Sequence, residues 1–290
     1  MKILAFSDVT KWKGYKKLVD KVQPDVVALA GDLTSDGFAS FWNEAVMQIP
    51  KFQEEKKRLM KKFKIIQRNV NFYKGRNVSK FFDELYSLKT KYYDTEEFRK
   101  IRKQIHVDKF YQFLSYAGKK SKVLVVKGDH DEDFEGDYVP ERIDSIQGCR
   151  EISGKTVEIA GLIFLGLGFN ETHYLRILKP LIQKYKNKVD VIVTHCEQNR
   201  MPLLSSLNPR IIIRGHFGSG KYLVNDIPTV FTMGVHYTVI ELKNRKVPKI
   251  SQYISGPNKK VKLLKKGSCR PWFSEVSEFE RYKWLKPYSN

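Results

Sequence analysis

Five apolar runs, each closed by an aspartate or a histidine, constrain this chain more than any other feature. They are "KILAFSD" (Lys2–Asp8), "DVVALAGD" (Asp25–Asp32), "KVLVVKGD" (Lys122–Asp129), "VDVIVTH" (Val189–His195) and "RIIIRGH" (Arg210–His216). Unbroken Val, Ile and Leu over this length is what strands covered on both faces look like, whereas a half-solvated strand alternates apolar with polar residues. The fold class is therefore expected to be α/β. In sheets of that kind, ligands collect beyond the carboxyl ends of the strands. Asp8, Asp32, Asp129, His130, Asp131, His195 and His216 are delivered to such ends and are the candidate site residues.

The segment between the second and third runs has a different character. Residues 38–121 are rich in Lys, Glu, Phe, Tyr and Leu and lack proline after Pro50. Phe81, Phe82, Leu85 and Leu88, then Phe110, Phe113 and Leu114, fall at helical intervals. A crossover between parallel strands needs only about a dozen residues, so the segment reads as an inserted helical subdomain. Its aromatics read as its own core before they read as base-stacking platforms. "TVEIAGLIFLGLGF" (Thr156–Phe169) reads as a hairpin turning at Ala160-Gly161, and Thr172–Lys186 as a helix. Gly220–Leu242 reads as a meander with turns at Asn225-Asp226 and Met233-Gly234. The expected plan is a core over residues 1–242 interrupted by 38–121, followed by a basic, turn-rich extension over 243–290.

The formal net charge of +21 sits in these additions. Residues 38–122 hold 21 Lys and Arg against 9 Asp and Glu, and 243–290 hold 13 against 3, whereas the rest of the chain holds 19 against 20. Basic residues concentrated in this way gain affinity for polyanions by releasing counterions, which points to DNA, RNA or another polyphosphate. A Lys-rich surface kept soluble by its charge is the plainer alternative. No apolar run approaches the roughly 20 residues of a membrane-spanning helix, and "MKILAFSD" turns acidic too early for a signal peptide. Cys149, Cys196 and Cys269 are odd in number and far apart, which fits a reducing compartment. The expectation is a cytoplasmic protein.

Taken in order, "SDVT", "AGDL", "KGDHDE", "VTHC" and "RGHFG" resemble the signature blocks of the calcineurin-like metallophosphoesterases: Asp-x-His, Gly-Asp, Gly-Asn-His-Asp/Glu, a lone His and Gly-His-x-His. The likeness covers residues 1–37 and 122–242. Any one block is weak; five in the right order, each after an apolar run, are specific together. The resemblance implies a four-layer α/β/β/α sandwich with a metal-dependent phosphoesterase site at the edge where two sheets meet. It implies two divalent cations (Mn²⁺, Mg²⁺, Zn²⁺ or Fe²⁺) about 3.5–4 Å apart, bridged by Asp32, that activate a water for in-line attack on phosphorus. By position, Asp129, His195 and His216 complete one metal site and Asp8 belongs to the other. His130 would stabilise developing charge or protonate the leaving oxygen, with Asp131 orienting it. The helical insertion, which leaves and rejoins the core between Asp32 and Asp129, would be a lid or substrate platform.

The chain also departs from the family pattern. Thr10 stands where the family has the His of Asp-x-His, and Gly218 where it has the last His of Gly-His-x-His. Both lost imidazoles bind the same cation in the family. One site is thus expected to be strong and the second weakened to Asp8, Asp32 and the Thr10 hydroxyl. Asp129 replaces the family's Asn and adds a negative charge to the intact site. Two functions follow. In one, the protein hydrolyses phosphodiester bonds of nucleic acid or nucleotides; in the other, it is a catalytically weak or inactive module that binds nucleic acid or a protein partner through its basic insertion and tail. Retention of His130 favours the first. Elsewhere, Cys196 and His236 read as structural before they read as ligands, and His106 and His173 as packing or surface residues. Phe217 and Tyr222 stand near enough to the motifs to line a pocket, and Lys127, Arg214 and Lys221 to meet a phosphate or simply be solvated.

Overall fold

The apolar runs are strands in the computed structural model, which describes residues 1–9, 12, 14–34, 45–63, 76–93, 95–132, 137–216, 220–232, 237–243, 248–255, 261–266 and 270–271. In chain order the strands are β1 (Lys2–Phe6), β2 (Val26–Ala30), β3 (Lys122–Val126), β4 (Cys149–Glu151), β5 (Thr156–Ile159), β6 (Leu162–Leu167), β7 (Val191–His195), β8 (Ile211–Gly215), β9 (Gly220–Val224), β10 (Ile227–Phe231), β11 (Tyr237–Glu241), β12 (Lys249–Ser255), β13 (Val261–Lys266) and β14 (Arg270–Pro271). The α-helices are α1 (Tyr15–Val22), α2 (Pro50–Lys62), α3 (Arg76–Tyr93), α4 (Glu96–Arg102), α5 (Asp108–Ala117), α6 (Pro140–Asp144), α7 (Phe169–His173), α8 (Leu175–Tyr185) and α9 (Met201–Ser205). The described residues divide into two units, one from Met1–Ser35 and His106–Trp272, the other within Asp36–Ile105.

The first unit is built on two mixed sheets, with strand orders β13-β12-β11-β1-β2-β3-β4 and β14-β9-β10-β8-β7-β6-β5. β1 to β4 run parallel, and so do β6, β7, β8 and β10. Alternate residues of a strand point to opposite faces. Leu4, Phe6, Val27, Leu29, Val123 and Val125 therefore pack on one side with residues of α1 and α5. Ile3, Ala5, Val26, Ala28, Leu124 and Val126 pack on the other, against Phe164, Val191, Val193, Ile211 and Ile213 of the second sheet. Leu165, Leu167, Ile192 and Ile212 face a third cluster containing residues of α8 and α9. The chain is an α/β sandwich, and its central strands are mostly apolar because each of their faces meets a core.

Three boundaries differ from the sequence reading. The expected insertion over 38–121 gives up α5, whose Phe110, Phe113 and Leu114 share the cluster of Leu4 and Phe6; the Phe113 ring lies 4.9 Å from Trp12 and 5.7 Å from Phe6. A helical stripe says that a helix buries one face without saying against what. The second unit keeps α2, α3 and α4, where Phe52, Phe81, Leu85 and Phe98 are buried and Tyr93 packs edge-on to Phe98 at 4.8 Å.

Gly220–Leu242 is not one meander. β9 and β10 form a hairpin through Asn225 and Asp226, with φ of 48° and 66° as a primed turn requires. β11, however, pairs with β1 in the other sheet; Met233-Gly234 lies outside the described residues. Part of the C-terminal extension is also sheet, since β12 and β13 continue beyond β11. The hairpin at Ala160-Gly161 and the helix after Thr172 follow expectation, except that the helix breaks at Tyr174 into α7 and α8.

Candidate metal centre

The pairing of β1 with β2 continues beyond both strands: Asp8 N–H donates to the Gly31 carbonyl and Val9 N–H to that of Asp32, each at 3.0 Å. This sets Asp8 and Asp32 side by side. Both have left-handed backbone, at φ 53° and 55°, and so does His216 at φ 68°. Such a conformation costs an L-residue about 1–2 kcal/mol and persists only where the surroundings fix it. Two glycines leave the necessary room. A Cβ at Gly31 would land on the His195 ring, and one at Gly215 would land on the Ala30 carbonyl and the same ring. The Gly of "AGD" and of "RGH" is thus dictated by how closely the strand ends of the two sheets approach.

His195 ties those ends together. It is fully buried at the end of β7, with Nδ1 2.7 Å from the Ala30 carbonyl at the end of β2. Its Nε2 faces Asp129 Oδ1 at 2.8 Å, His216 Nδ1 at 3.2 Å and Asp32 Oδ2 at 3.6 Å. His216 Nδ1 lies 3.2 Å from the same Oδ1 of Asp129. Three sets of residues bring ligand atoms within 4.8 Å of one another: Asp129, His195 and His216; Asp8, Asp32 and His195; Asp32, Asp129 and His130. Six of the expected site residues are therefore brought together. Thr10 lies outside the described residues, as do Gly218, Phe217 and His236. An Nδ1–H held by a backbone carbonyl fixes Nε2 as the ligating atom, as in metal-bound histidines generally. Imidazoles mixed with carboxylates suit Zn²⁺, Mn²⁺ or Fe²⁺, so the residues present fit a divalent cation.

The charges of the site point the same way. Burial pushes Asp32 up to about 8, with Asp8, Asp131 and Asp129 adding to the rise and His195 opposing it. Burial also raises Asp8, against the pull of His195 and of a hydrogen bond from Ser7. Desolvation would raise Asp129 too, but hydrogen bonds from His195 and His216 outweigh it and hold the carboxyl well below the usual range. Desolvation alone would lower His195; Asp32, Asp129 and Asp8 outweigh it and push the imidazole up to about 10. Protons are held here where a cation would otherwise balance the carboxylates.

His130 stands at the more open side, its Nε2 3.7 Å from Asp129 Oδ2 and its backbone N–H donating to Asp32 Oδ1 at 3.0 Å. The expectation that Asp131 orients His130 gives way to another role. Asp131 Oδ1 accepts from Leu33 N–H at 2.7 Å, Thr34 N–H at 2.8 Å and the Thr34 hydroxyl at 3.0 Å, and Oδ2 accepts from Gly128 N–H at 2.9 Å. It joins the loop after β2 to the loop after β3. Several flanking residues are also structural. Arg214 is buried and donates through Nε to the Cys196 carbonyl at 2.8 Å. Lys221 donates to the Ile250 carbonyl at 3.3 Å, and Tyr222 packs on Phe231 at 5.0 Å. Cys149 and Cys196 are buried free thiols.

No protein-family model and no curated protein matches the sequence. One solved structure resembles the chain at 16% identity, covering 92% of this chain and 99% of its own, with a TM-score of 0.48. The crystal structure of TT1561 of Thermus thermophilus resembles it at 14% identity, covering 87% and 98%, with a TM-score of 0.47. At these values neither likeness decides the family. Among the described residues no helix is long and apolar enough to cross a membrane.

Sequence reasoning missed that β6 also ends at this edge. Phe169, just beyond it, has its ring centroid 6.0 Å from His216 and 6.5 Å from His195. The signal was present in "LIFLGLGF", another unbroken apolar run, but it closes on an aromatic rather than on an Asp or His.

Proposed function

We propose that the protein is a calcineurin-like metallophosphoesterase, a four-layer α/β/β/α sandwich that hydrolyses phosphodiester bonds in nucleic acid or nucleotides. The observation that carries this reading is the meeting of Asp8, Asp32, Asp129, His195 and His216, far apart in sequence, in overlapping sets of three whose ligand atoms lie within 4.8 Å of one another. Asp129, His195 and His216 would hold one divalent ion, and Asp8 with Asp32 a second, more weakly. A divalent cation there supplies Lewis acidity toward phosphate oxygens and brings the pKa of water near neutrality.

The chain's own residues position and protonate. His195, locked by Ala30, keeps Nε2 aimed at the cluster. Asp131 keeps Asp32 and Asp129 in register by joining their loops. His130, at the open side, is placed to give a proton to the departing oxygen. The basic excess of residues 38–122 and 243–290 attracts a phosphate backbone.

Hydrolysis of bis-p-nitrophenyl phosphate with added Mn²⁺ tests the reading. Turnover abolished in Asp32→Asn and His195→Ala supports the enzyme. Salt-sensitive nucleic-acid binding with no turnover under Mn²⁺, Mg²⁺, Zn²⁺ or Fe²⁺ supports the binding module instead.

A further inference from the structure

A line of rings leads from the metal centre out to solvent. It begins at Phe169, whose N–H is held by the Lys127 carbonyl at 2.9 Å. His173 stacks on Phe169, with centroids 5.0 Å apart and planes at 25°, and Tyr174 stands edge-on to His173 at 4.9 Å. The Arg176 guanidinium lies 5.5 Å from the Tyr174 ring centre, and Glu197 Oε1 is 3.6 Å from His173 Nδ1.

This line is fixed to the metal-binding strand. Thr172, fully buried, donates its hydroxyl to the His195 carbonyl at 3.0 Å. Arg200 donates from Nε and Nη2 to the carbonyls of Thr172 and His173, both at 3.2 Å. Yet the outer end is uncovered. Tyr174, Leu175 and Ile177 are 45%, 39% and 37% exposed, three of the four large apolar side chains so exposed among the described residues. Rings held rigidly at their backbone and left open to water are a cost that burial does not return, which marks a surface made for contact.

We propose that His173 and Tyr174, backed by Phe169 and flanked by Arg176, form a stacking platform for a nucleobase of the substrate strand whose phosphodiester lies at the metal centre. The platform rests on the phosphodiesterase reading for its chemistry. Rings accept any base through its π-face, so this site confers a preference for base-bearing over base-free strands without a sequence code, and Arg176 adds a positive charge beside the backbone.

Fluorescence anisotropy in EDTA, at one fixed salt concentration, compares binding of oligothymidylate with that of an abasic strand of equal length. Wild type is expected to prefer oligothymidylate about tenfold or more. Tyr174→Ala should lose most of that preference, and Tyr174→Trp, which keeps a ring, should retain it. Equal preference in wild type and Tyr174→Ala overturns the proposal, as does no preference in wild type, the result a protein-docking surface would give. Hydrolysis of bis-p-nitrophenyl phosphate with added Mn²⁺, run on the same protein preparations without EDTA, separates the two claims. Base preference without turnover keeps the platform and ends the enzyme; turnover without base preference does the reverse.

Discussion

His195 and Asp129 meet at 2.8 Å between the ends of strands that belong to different sheets, and the imidazole cannot retreat because its other nitrogen is held 2.7 Å from the Ala30 carbonyl. A ligand fixed this way needs no reordering when a cation binds. Its removal should therefore cost more than loss of a mobile surface histidine. His195→Ala is expected to lower Mn²⁺ affinity about 100-fold or more, beyond the 10–100-fold typical of outer-layer partners. Competition with a chelating dye reads this directly. Affinity within threefold of wild type would remove His195 from the metal centre.

The raised pKa of Asp32 gives a pH dependence with a definite sign. Folded, this carboxyl titrates at about 8; unfolded, near 4. The folded state holds the proton more tightly, so the stabilisation is complete below about pH 4 and is lost as pH rises through about 8. His195, raised to about 10 from an unfolded value near 6.5, has the same sign and loses its share as pH rises through about 10. Metal-free protein should thus melt at a lower temperature at pH 9 than at pH 6, and Asp32→Asn should flatten the lower part of that fall. Saturating Mn²⁺, which competes with both protons, should shrink it further. Parallel melting curves for wild type and Asp32→Asn across this range would show that Asp32 titrates normally.

Two glycines separate the cost of backbone conformation from that of close packing. Gly14 has φ of 96° with nothing within 4 Å of an added Cβ, whereas a Cβ at Gly215 meets Ala30 and His195. Gly14→Ala should cost only the left-handed conformation, about 1–2 kcal/mol. Gly215→Ala must push β8 away from β2, and should cost about 3 kcal/mol or more while also weakening Mn²⁺ binding. Denaturant melts with and without metal measure both. Equal costs at the two positions would contradict the packing seen at the strand ends.

What was legible in the sequence follows from which forces are local. The strands could be read because burial on both faces leaves unbroken apolar runs, and the convergence of Asp and His side chains because five such runs end in one or the other. The destination of α5 could not, since Phe110 and Phe113 satisfy a helical stripe whether the helix covers an insertion or the β1–β2–β3 sheet. β11 was misplaced for the same reason: alternation in Tyr237–Glu241 does not say which sheet supplies the neighbour. The role of Asp131 was hidden because three of its four donors are backbone N–H groups, of Leu33, Thr34 and Gly128, which carry no side-chain signature.

That hidden role makes Asp131 a test of how the site is held together. Asp131→Asn replaces one acceptor oxygen with a donor facing N–H groups, so at least one buried hydrogen bond becomes a clash of like partners. The expected loss is about 2–3 kcal/mol of stability, together with weaker Mn²⁺ binding, because the loops bearing Asp32 and Asp129 lose their common anchor. Urea unfolding and metal titration report the two effects. If Asp131→Asn left both unchanged while shifting only the pH profile of hydrolysis, the orienting role beside His130 would be restored.

The second unit offers a test of the proposed nucleic-acid partner that does not involve the candidate metal centre. Lys57, Arg58 and Lys61 are exposed on α2, and none forms an ion pair among the described residues, whereas Lys62 is occupied by Glu84 at 2.7 Å. Each phosphate neutralised on a single strand contributes about 0.7 to the slope of log K against log salt. If all three residues lie on the strand, changing them together to Gln should reduce that slope by about 2 and weaken binding most at low salt. The melting temperature should hardly move, since the three side chains are solvated and their charges repel one another. An unchanged slope would take α2 out of the interface and leave the attraction to the other basic segments.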